Sequence, residues 1–201
     1  MNVDFKQIIQ RFERGEELFL DNKVRIQIPN AEQWLRKGLD FFVNHYSCGE
    51  CPHATWSEKN YRPIVDWMTD NKGRGLLMTG RCGLGKTLIG KHILPLLFRS
   101  LCGKIITVTT AQDLNKKIDE MLMKHIIYID DIGTEELAKS YGNVRCTFSE
   151  LCNEAEQKGK LLIISTNLTA KELEEKYGER TIDRLKAITK FVPFVGASLR
   201  K

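Results

Sequence analysis

The feature that most constrains this chain is the eight-residue stretch GRCGLGKT at residues 80–87. It fits the pattern G-x-x-x-x-G-K-[ST], whose glycines let backbone N–H groups turn toward phosphate oxygens at a helix N-terminus. Leu76 to Met78 predict a short buried strand before the loop, and Leu88 to Phe98 predict a helix after it, which Pro95 can kink or end. This strand–loop–helix setting favours a phosphate-binding loop over a glycine-rich surface turn.

The loop also supplies candidate ligands for ATP and its magnesium ion. Lys86 is predicted to reach the β- and γ-phosphates, and the hydroxyl of Thr87 to ligate Mg²⁺. The predicted phosphate-binding residues are Gly80, Arg81, Cys82, Gly83, Leu84, Gly85, Lys86, Thr87 and Leu88.

Length and composition narrow the class of protein. The chain has 201 residues, 42% of them apolar and 28% charged, as expected for one globular domain with an appendage or one large domain. A net charge of +5 permits contact with nucleic acid without requiring it. The N-terminus lacks the apolar core of a signal peptide, and no apolar run approaches the roughly 18 residues of a membrane span. We therefore expect a cytoplasmic protein whose six cysteines are free thiols.

Residues 1–70 predict a mainly helical region. Two apolar stripes at helical spacing support this prediction, the second after Asn30 as an N-cap: Phe5, Ile8, Ile9 and Phe12, then Trp34, Leu35, Leu39, Phe42, Val43 and Tyr46. Between the stripes, residues 24–28 alternate as in a short strand. Residues 57–70 predict a further helix that contains Pro63.

From residue 71 onward, strands and helices are predicted to alternate. The predicted strands are Leu76–Thr79, Lys104–Thr109, Ile126–Asp130, Leu161–Thr166 and Phe191–Val195, and the predicted helices are 86–98, 111–123, about 144–158 and 169–178. This alternation predicts a parallel sheet with helices on both faces. The stretch NKGRG at 71–75 is the predicted hinge between the two regions.

A second motif, HIIYIDDIGTEE at 125–136, places two acidic residues after four apolar ones. Asp130 is predicted to hold the metal through water, and Asp131 to orient or activate the attacking water. Asp131 stands where many motor ATPases have the longer Glu, so we expect slow hydrolysis or dependence on a partner, with Glu135 as a second candidate for support. The alternative is a strand that ends in an acidic turn.

Two further motifs follow in the chain. LLIISTN at 161–167 predicts a buried strand ending at Asn167, which would bind the γ-phosphate or the attacking water; alternatively, Asn167 caps the next helix. YGERTIDRL at 177–185 places Arg180 and Arg184 on one helical face. Either these arginines reach the γ-phosphate of another subunit, or they pair with acidic neighbours on a solvated face.

Together, GRCGLGKT, IIYIDDIGTEE, LLIISTN, YGERTIDRL and FVPFVGASLR resemble the AAA+ ATPases of the DnaC/DnaI type over roughly residues 70–201. These proteins load the replicative helicase in bacteria and phages. The resemblance implies a P-loop NTPase fold with a parallel five-stranded sheet, no full helical lid, and ATP and Mg²⁺ as cofactors. It also implies side-by-side self-association, single-stranded DNA and a replicative ring helicase as partners, with residues 1–70 gripping the helicase and 71–201 forming the ATPase core.

The resemblance also implies roles for single residues. Asn167 is similar to the first sensor, Arg184 to the arginine finger with Arg180 as its neighbour, and Arg200 to a second, cis-acting sensor. The implied catalytic set is Lys86, Asp131, Asn167, Arg184 and Arg200, with Thr87 and Asp130 at the metal. One departure is that TAQDLNKKIDEMLMKH is short for this family, which puts DNA binding in doubt; the candidate contacts there, otherwise a solvated face, are Lys116, Lys117 and Lys124.

Other functions are compatible with these motifs. The nearest is an IstB-type helper ATPase for a transposase, which differs in partner and not in chemistry. A small-molecule kinase is disfavoured because we find no arginine-rich lid sequence. A non-hydrolysing adaptor that senses ATP is kept open by Asp131.

The stretch HYSCGECPH at 45–53 is a candidate zinc half-site. Its possible ligands are His45, Cys48, Cys51 and His53, but four ligands within nine residues make a cramped tetrahedron. Reduced cysteines in a linker turn are the alternative that we favour.

Overall fold

A five-stranded parallel sheet forms the centre of the structure, a computed structural model that describes residues 22–46, 54–135, 138–140 and 143–198 and positions 6, 9, 10, 13 and 14. The strands are β1 (Gly75–Thr79), β2 (Thr107–Thr110), β3 (Ile126–Ile132), β4 (Ala138–Ser140), β5 (Asn143–Arg145), β6 (Leu161–Thr166) and β7 (Thr189–Pro193). The sheet has the order β2-β3-β6-β1-β7, and β4 and β5 form a separate antiparallel pair. The predicted parallel sheet is therefore confirmed.

Helices connect the strands and cover the sheet. They are α1 (Ala31–Tyr46), α2 (Glu58–Thr69), a π-helical segment (Leu88–Ile93) that continues into α3 (Leu94–Cys102), α4 (Ala111–Leu122), α5 (Thr147–Lys158), α6 (Ala170–Tyr177) and α7 (Glu179–Ile188). Pro95 lies at the junction between the π-helical segment and α3, and the helix continues past it to Cys102. In the described part of the chain, no helix combines the length and the apolar character that crossing a membrane requires.

The central strands are buried on both faces, which explains their continuous apolar runs. Successive residues of β1 point to opposite faces: Leu76 and Met78 join one hydrophobic cluster, and Leu77 joins the other. β6 divides its side chains in the same way, with Ile163 in the first cluster and Ile164 in the second. The polar residues at the ends of these strands are therefore held by a rigid, fully packed scaffold.

The described part of the N-terminal region packs on the first of these clusters. Leu35 and Leu39 of α1 and Ile64 of α2 are buried in it together with β1. The predicted division at residue 70 therefore does not separate two cores, and a partner-binding role for residues 1–70 stays a prediction. Of the first predicted stripe, Ile9 is helical and 41% exposed, and Phe5, Ile8 and Phe12 lie outside the described residues.

The strand predicted at residues 24–28 is wrong. Ile26 and Ile28 are buried, as the alternation indicates, but this segment is not in a sheet. Its backbone bonds instead to loops and a helix end: Ile28 N–H donates to the Met68 carbonyl at 2.9 Å, and the Asn71 side chain accepts from Ile26 N–H and donates to the Val24 carbonyl, both at 2.9 Å. A buried segment satisfies its polar backbone by any partner in reach, so alternation alone does not place it in a sheet.

Candidate nucleotide-binding site

The phosphate loop lies between β1 and the π-helical segment, and its glycines are required by the backbone. Gly80, Gly83 and Gly85 have φ values of 132°, 80° and 88°, in the region that side-chain-bearing residues rarely adopt. A Cβ on Gly80 would lie 2.3 Å from the Phe194 carbonyl oxygen, and one on Gly83 would lie 2.1 Å from Ser198 Oγ. The segment after β7 therefore lies directly against the phosphate loop.

That segment is also fixed by α2. Asn60 is buried, accepts from Val195 N–H at 2.9 Å and donates to the Val195 carbonyl at 3.0 Å. The same side chain thus satisfies both polar groups of one backbone residue, which holds residues 194–198 over the loop. Arg200, the implied second sensor, lies outside the described residues.

Lys86 is buried, with 5% of its surface exposed, and its ammonium group is enclosed by oxygen atoms. It donates to the carbonyl oxygens of Gly80 at 2.6 Å and Arg81 at 2.9 Å, and to Oδ1 of Asn167 at 3.0 Å. Because a buried ammonium is costly without such partners, these bonds fix the position of the charge. They also join the loop after β1 to the end of β6.

Asn167 connects this lysine to an acidic residue. Its Nδ2 donates to Oδ1 of Asp131 at 3.1 Å, so its amide bridges a cation and an anion. The helix-capping alternative for Asn167 is wrong: the N-cap of α6 is Thr169, which forms a capping box with Glu172. Asp131 has a φ of 54° at a register irregularity of β3, and such irregularities redirect side chains at the ends of strands.

Asp130 lies beside Thr87, as the metal assignment requires. Thr87 Oγ1 donates to Asp130 Oδ1 at 3.0 Å. Carboxylate and hydroxyl oxygens are hard donors that Mg²⁺ prefers, so these two residues fit a magnesium ion bound with a nucleotide.

Two residues that sequence reasoning missed also contact Asp130. Tyr128 OH and Ser165 Oγ each donate to Asp130 Oδ1 at 2.6 Å. Burial, followed by the charge of Asp130 and the hydrogen bond to it, raises the pKa of Tyr128 far above its usual range, so the phenol stays protonated. A signal existed in the strand pattern: Tyr128 and Ser165 stand two residues before Asp130 and Asn167, and side chains two apart share a face.

Glu135 makes contacts that hold a loop in place, and its predicted supporting role in hydrolysis stays a prediction. It is 7% exposed; one carboxylate oxygen accepts from Gly133 N–H at 2.8 Å, and the other accepts from Tyr177 OH. Lys176 lies 3.9 Å from the same carboxylate and donates to the carbonyl oxygens of Gly133 and Glu135. These bonds fasten the loop after β3 to the end of α6.

The two arginines of α7 have different surroundings. Arg184 Nε donates to Glu156 Oε2 of α5 at 3.0 Å, and its side chain is 20% exposed. The ion-pairing alternative therefore describes the contact that Arg184 makes within this chain. Arg180 is exposed near the start of the helix. A role for either arginine at another subunit stays a prediction.

The remaining candidate residues are three lysines near α4 and the predicted zinc ligands. Lys116 and Lys117 are exposed on α4, and Lys124 lies 3.7 Å from Glu120. Of the predicted zinc ligands, His45 is exposed at the end of α1, and Cys48, Cys51 and His53 lie outside the described residues. The described residues hold no cluster of three metal-ligating side chains. The four described cysteines are free thiols: Cys82, Cys102, Cys146 and Cys152.

A phosphate loop after β1, adjacent acidic residues at the end of β3 and a polar residue after β6 define a P-loop NTPase. The model of the family described as Novel STAND NTPase 3 matches residues 57–192, more than half of the chain. The chain belongs to this family. No curated protein sequence matches it.

Solved structures show the same fold. DnaI superimposes with a TM-score of 0.51 at 17% identity, over 63% of this chain and 73% of that one. The DnaC helicase loader gives 0.50 at 16% identity, over 84% and 93%. AMPPCP-bound DnaA from Aquifex aeolicus gives 0.51 at 14% identity, over 70% and 48%. The resemblance to DnaC and DnaI is confirmed at the level of the fold.

Proposed function

We propose that this protein binds ATP with Mg²⁺, hydrolyses it slowly and uses it to control the delivery of a replicative ring helicase to single-stranded DNA. The observation that carries the proposal is the Lys86–Asn167–Asp131 chain of hydrogen bonds, which joins the ends of β1, β6 and β3. It brings a phosphate-binding cation, an amide and a carboxylate to one edge of the sheet. Ligands of parallel-sheet proteins bind at this edge.

The residues divide the chemistry among them. The loop amides and Lys86 bind the phosphates, and Lys86 stabilises the charge that develops on them. Asn167 orients the γ-phosphate or the attacking water, and Asp131 accepts the proton of that water. Bound Mg²⁺ would be held by Thr87 and Asp130 and would neutralise phosphate charge.

Nucleotide binding is expected to control assembly through Arg184. ATP changes an assembly only if it binds one state more tightly than another, and an arginine from a neighbouring protomer supplies such a difference. To reach a neighbour, Arg184 must leave Glu156. Their ion pair is partly exposed, and pairs near the surface typically stabilise by only about 0–1 kcal/mol. The helicase would bind residues 1–70, by analogy with the DnaC helicase loader.

One observation favours a second candidate, an adaptor that senses ATP without hydrolysing it. Asp131 is shorter than Glu, and its carboxylate accepts from Asn167 at 3.1 Å, which competes with the proton of an attacking water. An IstB-type transposition helper would share either chemistry and differ in its partner.

The test is ATP turnover per protomer at several protein concentrations, with and without single-stranded DNA, for the wild type, Arg184→Ala and Glu156→Gln. We expect turnover to rise with concentration and with DNA. Arg184→Ala should lower it by about 10³-fold, the usual contribution of an arginine finger. Glu156→Gln keeps the arginine and removes its ion pair, so it should leave turnover unchanged or raise it.

The other outcomes are equally informative. If turnover does not depend on protein concentration or DNA and is unchanged in Arg184→Ala, the shared-interface mechanism is wrong. ATP binding with turnover at background in every sample would favour the adaptor. Equal losses of turnover in Arg184→Ala and Glu156→Gln would mean that the ion pair between these residues has a structural role.

A further inference from the structure

Three hydroxyl groups converge on a single oxygen of the metal-site carboxylate. Thr87 Oγ1, Tyr128 OH and Ser165 Oγ all bond to Oδ1 of Asp130, at 3.0, 2.6 and 2.6 Å. Thr87 belongs to the phosphate loop motif, but the other two belong to the interiors of β3 and β6. Tyr128 and Ser165 are both fully buried.

The protons of this cluster can be assigned from its geometry. Asp131 N–H donates to Ser165 Oγ at 3.1 Å, so that oxygen is an acceptor there and its own proton goes to Asp130. Tyr128 has one proton, and its shorter contact is to Asp130, at 2.6 Å against 3.1 Å to Ser165. Ser165 therefore contacts both acidic residues of the site.

The position of Tyr128 depends on a helical glycine. A Cβ on Gly90 would lie 2.0 Å from Cε2 and 2.4 Å from Cζ of the Tyr128 ring. Gly90 lies in the π-helical segment Leu88–Ile93, directly after the phosphate loop. The ring of Tyr128 thus packs against the helix that follows Thr87 while its hydroxyl reaches Asp130, which connects the two halves of the metal site.

We propose that Tyr128 and Ser165 are positioning residues for the divalent cation: they hold Oδ1 of Asp130 in place and so preset its carboxylate for metal binding. This inference rests on the proposed function, because it concerns the Mg²⁺ bound with ATP. Partners of metal ligands orient those ligands, and their loss typically weakens metal binding or activity by about 10- to 100-fold.

The simpler alternative is that Tyr128 is a core residue whose hydroxyl needs some acceptor. The chain offers a matched control for it. Tyr177 is another buried tyrosine whose hydroxyl donates to a carboxylate, that of Glu135, away from the phosphate loop. Tyr128→Phe and Tyr177→Phe therefore make the same chemical change, and only the first removes a bond to Asp130.

The experiment uses Mn²⁺ as the probe, with free and bound ion distinguished by electron paramagnetic resonance, in the presence of the non-hydrolysable ATP analogue AMPPCP. The proteins are the wild-type chain, Tyr128→Phe, Ser165→Ala and Tyr177→Phe. Binding of a fluorescent ATP analogue in EDTA and thermal unfolding are measured in parallel. We expect Tyr128→Phe and Ser165→Ala to weaken Mn²⁺ binding by about tenfold, with metal-free nucleotide binding unchanged. Tyr177→Phe should leave both unchanged.

The inference is overturned if Tyr128→Phe and Ser165→Ala bind Mn²⁺ like the wild type, or if Tyr177→Phe weakens Mn²⁺ binding as much as they do. If the wild type binds the nucleotide but does not bind Mn²⁺, the inference is also overturned, while nucleotide binding itself is still supported. A wild type that binds no nucleotide overturns the proposed function as well. If Tyr128→Phe does not fold, Ser165→Ala decides, since it removes a second donor to Asp130 that lies on a different strand.

Discussion

The two ends of the sheet each bury a lysine, and the two ammonium groups differ in their surroundings. At the carboxyl end, Lys86 is 5% exposed and donates to two backbone carbonyls. At the amino end, Lys160 is 6% exposed and donates to the carbonyl oxygens of Leu122 at 2.6 Å and Lys124 at 3.0 Å. Burial lowers the pKa of Lys160, as for any ammonium removed from water.

The difference lies in what else each ammonium touches. Lys160 bonds to main-chain oxygens, which join two loops. Lys86 adds a bond to the Asn167 side chain, which continues to Asp131. Both lysines are thus buried and bonded to carbonyl oxygens. Only Lys86 is also connected to an amide and a carboxylate, those of Asn167 and Asp131, which makes the carboxyl end the candidate site.

Two asparagines, one at each end of the sheet, differ in the same way as the two lysines. Asn71, at the amino end, is buried, and its side chain bonds four backbone groups of Val24, Ile26, Gly73 and Arg74. Asn167 is exposed and bonds two side chains. Asn71 fastens chain segments to each other, and Asn167 connects two charged side chains.

The largest expected effect separates the two lysines. Lys86→Met should lower ATP turnover by about 10²–10³-fold, because it removes a preorganised donor to developing phosphate charge. Lys160→Met should leave turnover of the folded protein unchanged and lower the free energy of unfolding by about 1–3 kcal/mol, because two buried carbonyls lose their donor. Turnover with saturating ATP and urea unfolding of both variants measure this. If Lys160→Met folds but does not turn over ATP, the distinction between the two lysines is wrong.

A smaller effect is expected for the asparagines. Asn167→Ala should lower turnover by about 10- to 100-fold, as for other residues that orient catalytic groups, and change stability by less than about 0.5 kcal/mol. Asn71→Ala should lower the free energy of unfolding by about 2 kcal/mol or more and leave turnover of the folded protein near wild type. The same two assays apply. If Asn167→Ala destabilises the fold as much as Asn71→Ala does, Asn167 is a structural residue.

Much of the sheet was predictable from the sequence because its strands are buried on both faces. Continuous apolar runs such as Leu161–Ile164 indicate such strands, and the polar residue that ends each run marks the carboxyl edge. The phosphate loop was predictable because its glycines allow the positive φ values that the loop backbone adopts. The bond between Lys86 and Asn167 was not, because it joins residues 81 positions apart.

The features that the sequence did not reveal have one physical cause: a local pattern does not specify which residue a side chain or backbone group will contact. Residues 24–28 alternate like a strand but bond to a loop and a helix end. The spacing of Arg180 and Arg184 did not show that Arg184 pairs with Glu156, 28 positions earlier. In the sequence, Tyr128 fits the apolar run of β3, and only the structure shows that its hydroxyl donates to Asp130.

The smallest expected effect sharpens the comparison at the carboxyl end, in the helix that follows Asn167. The backbone N–H of Thr169 and then its hydroxyl donate to Glu172 and hold the pKa of that carboxyl below its ordinary value of 4.5. Because the folded pKa is lower than the unfolded one, this stabilisation is present above the unfolded pKa and is lost as pH falls through the folded pKa. Glu172→Gln should therefore lower the melting temperature slightly at neutral pH, and the difference should vanish in acid. Glu174→Gln, the same charge change on α6 outside the capping box, is the control. A difference between wild type and Glu172→Gln that persists in acid would mean that the carboxylate charge does not stabilise this cap.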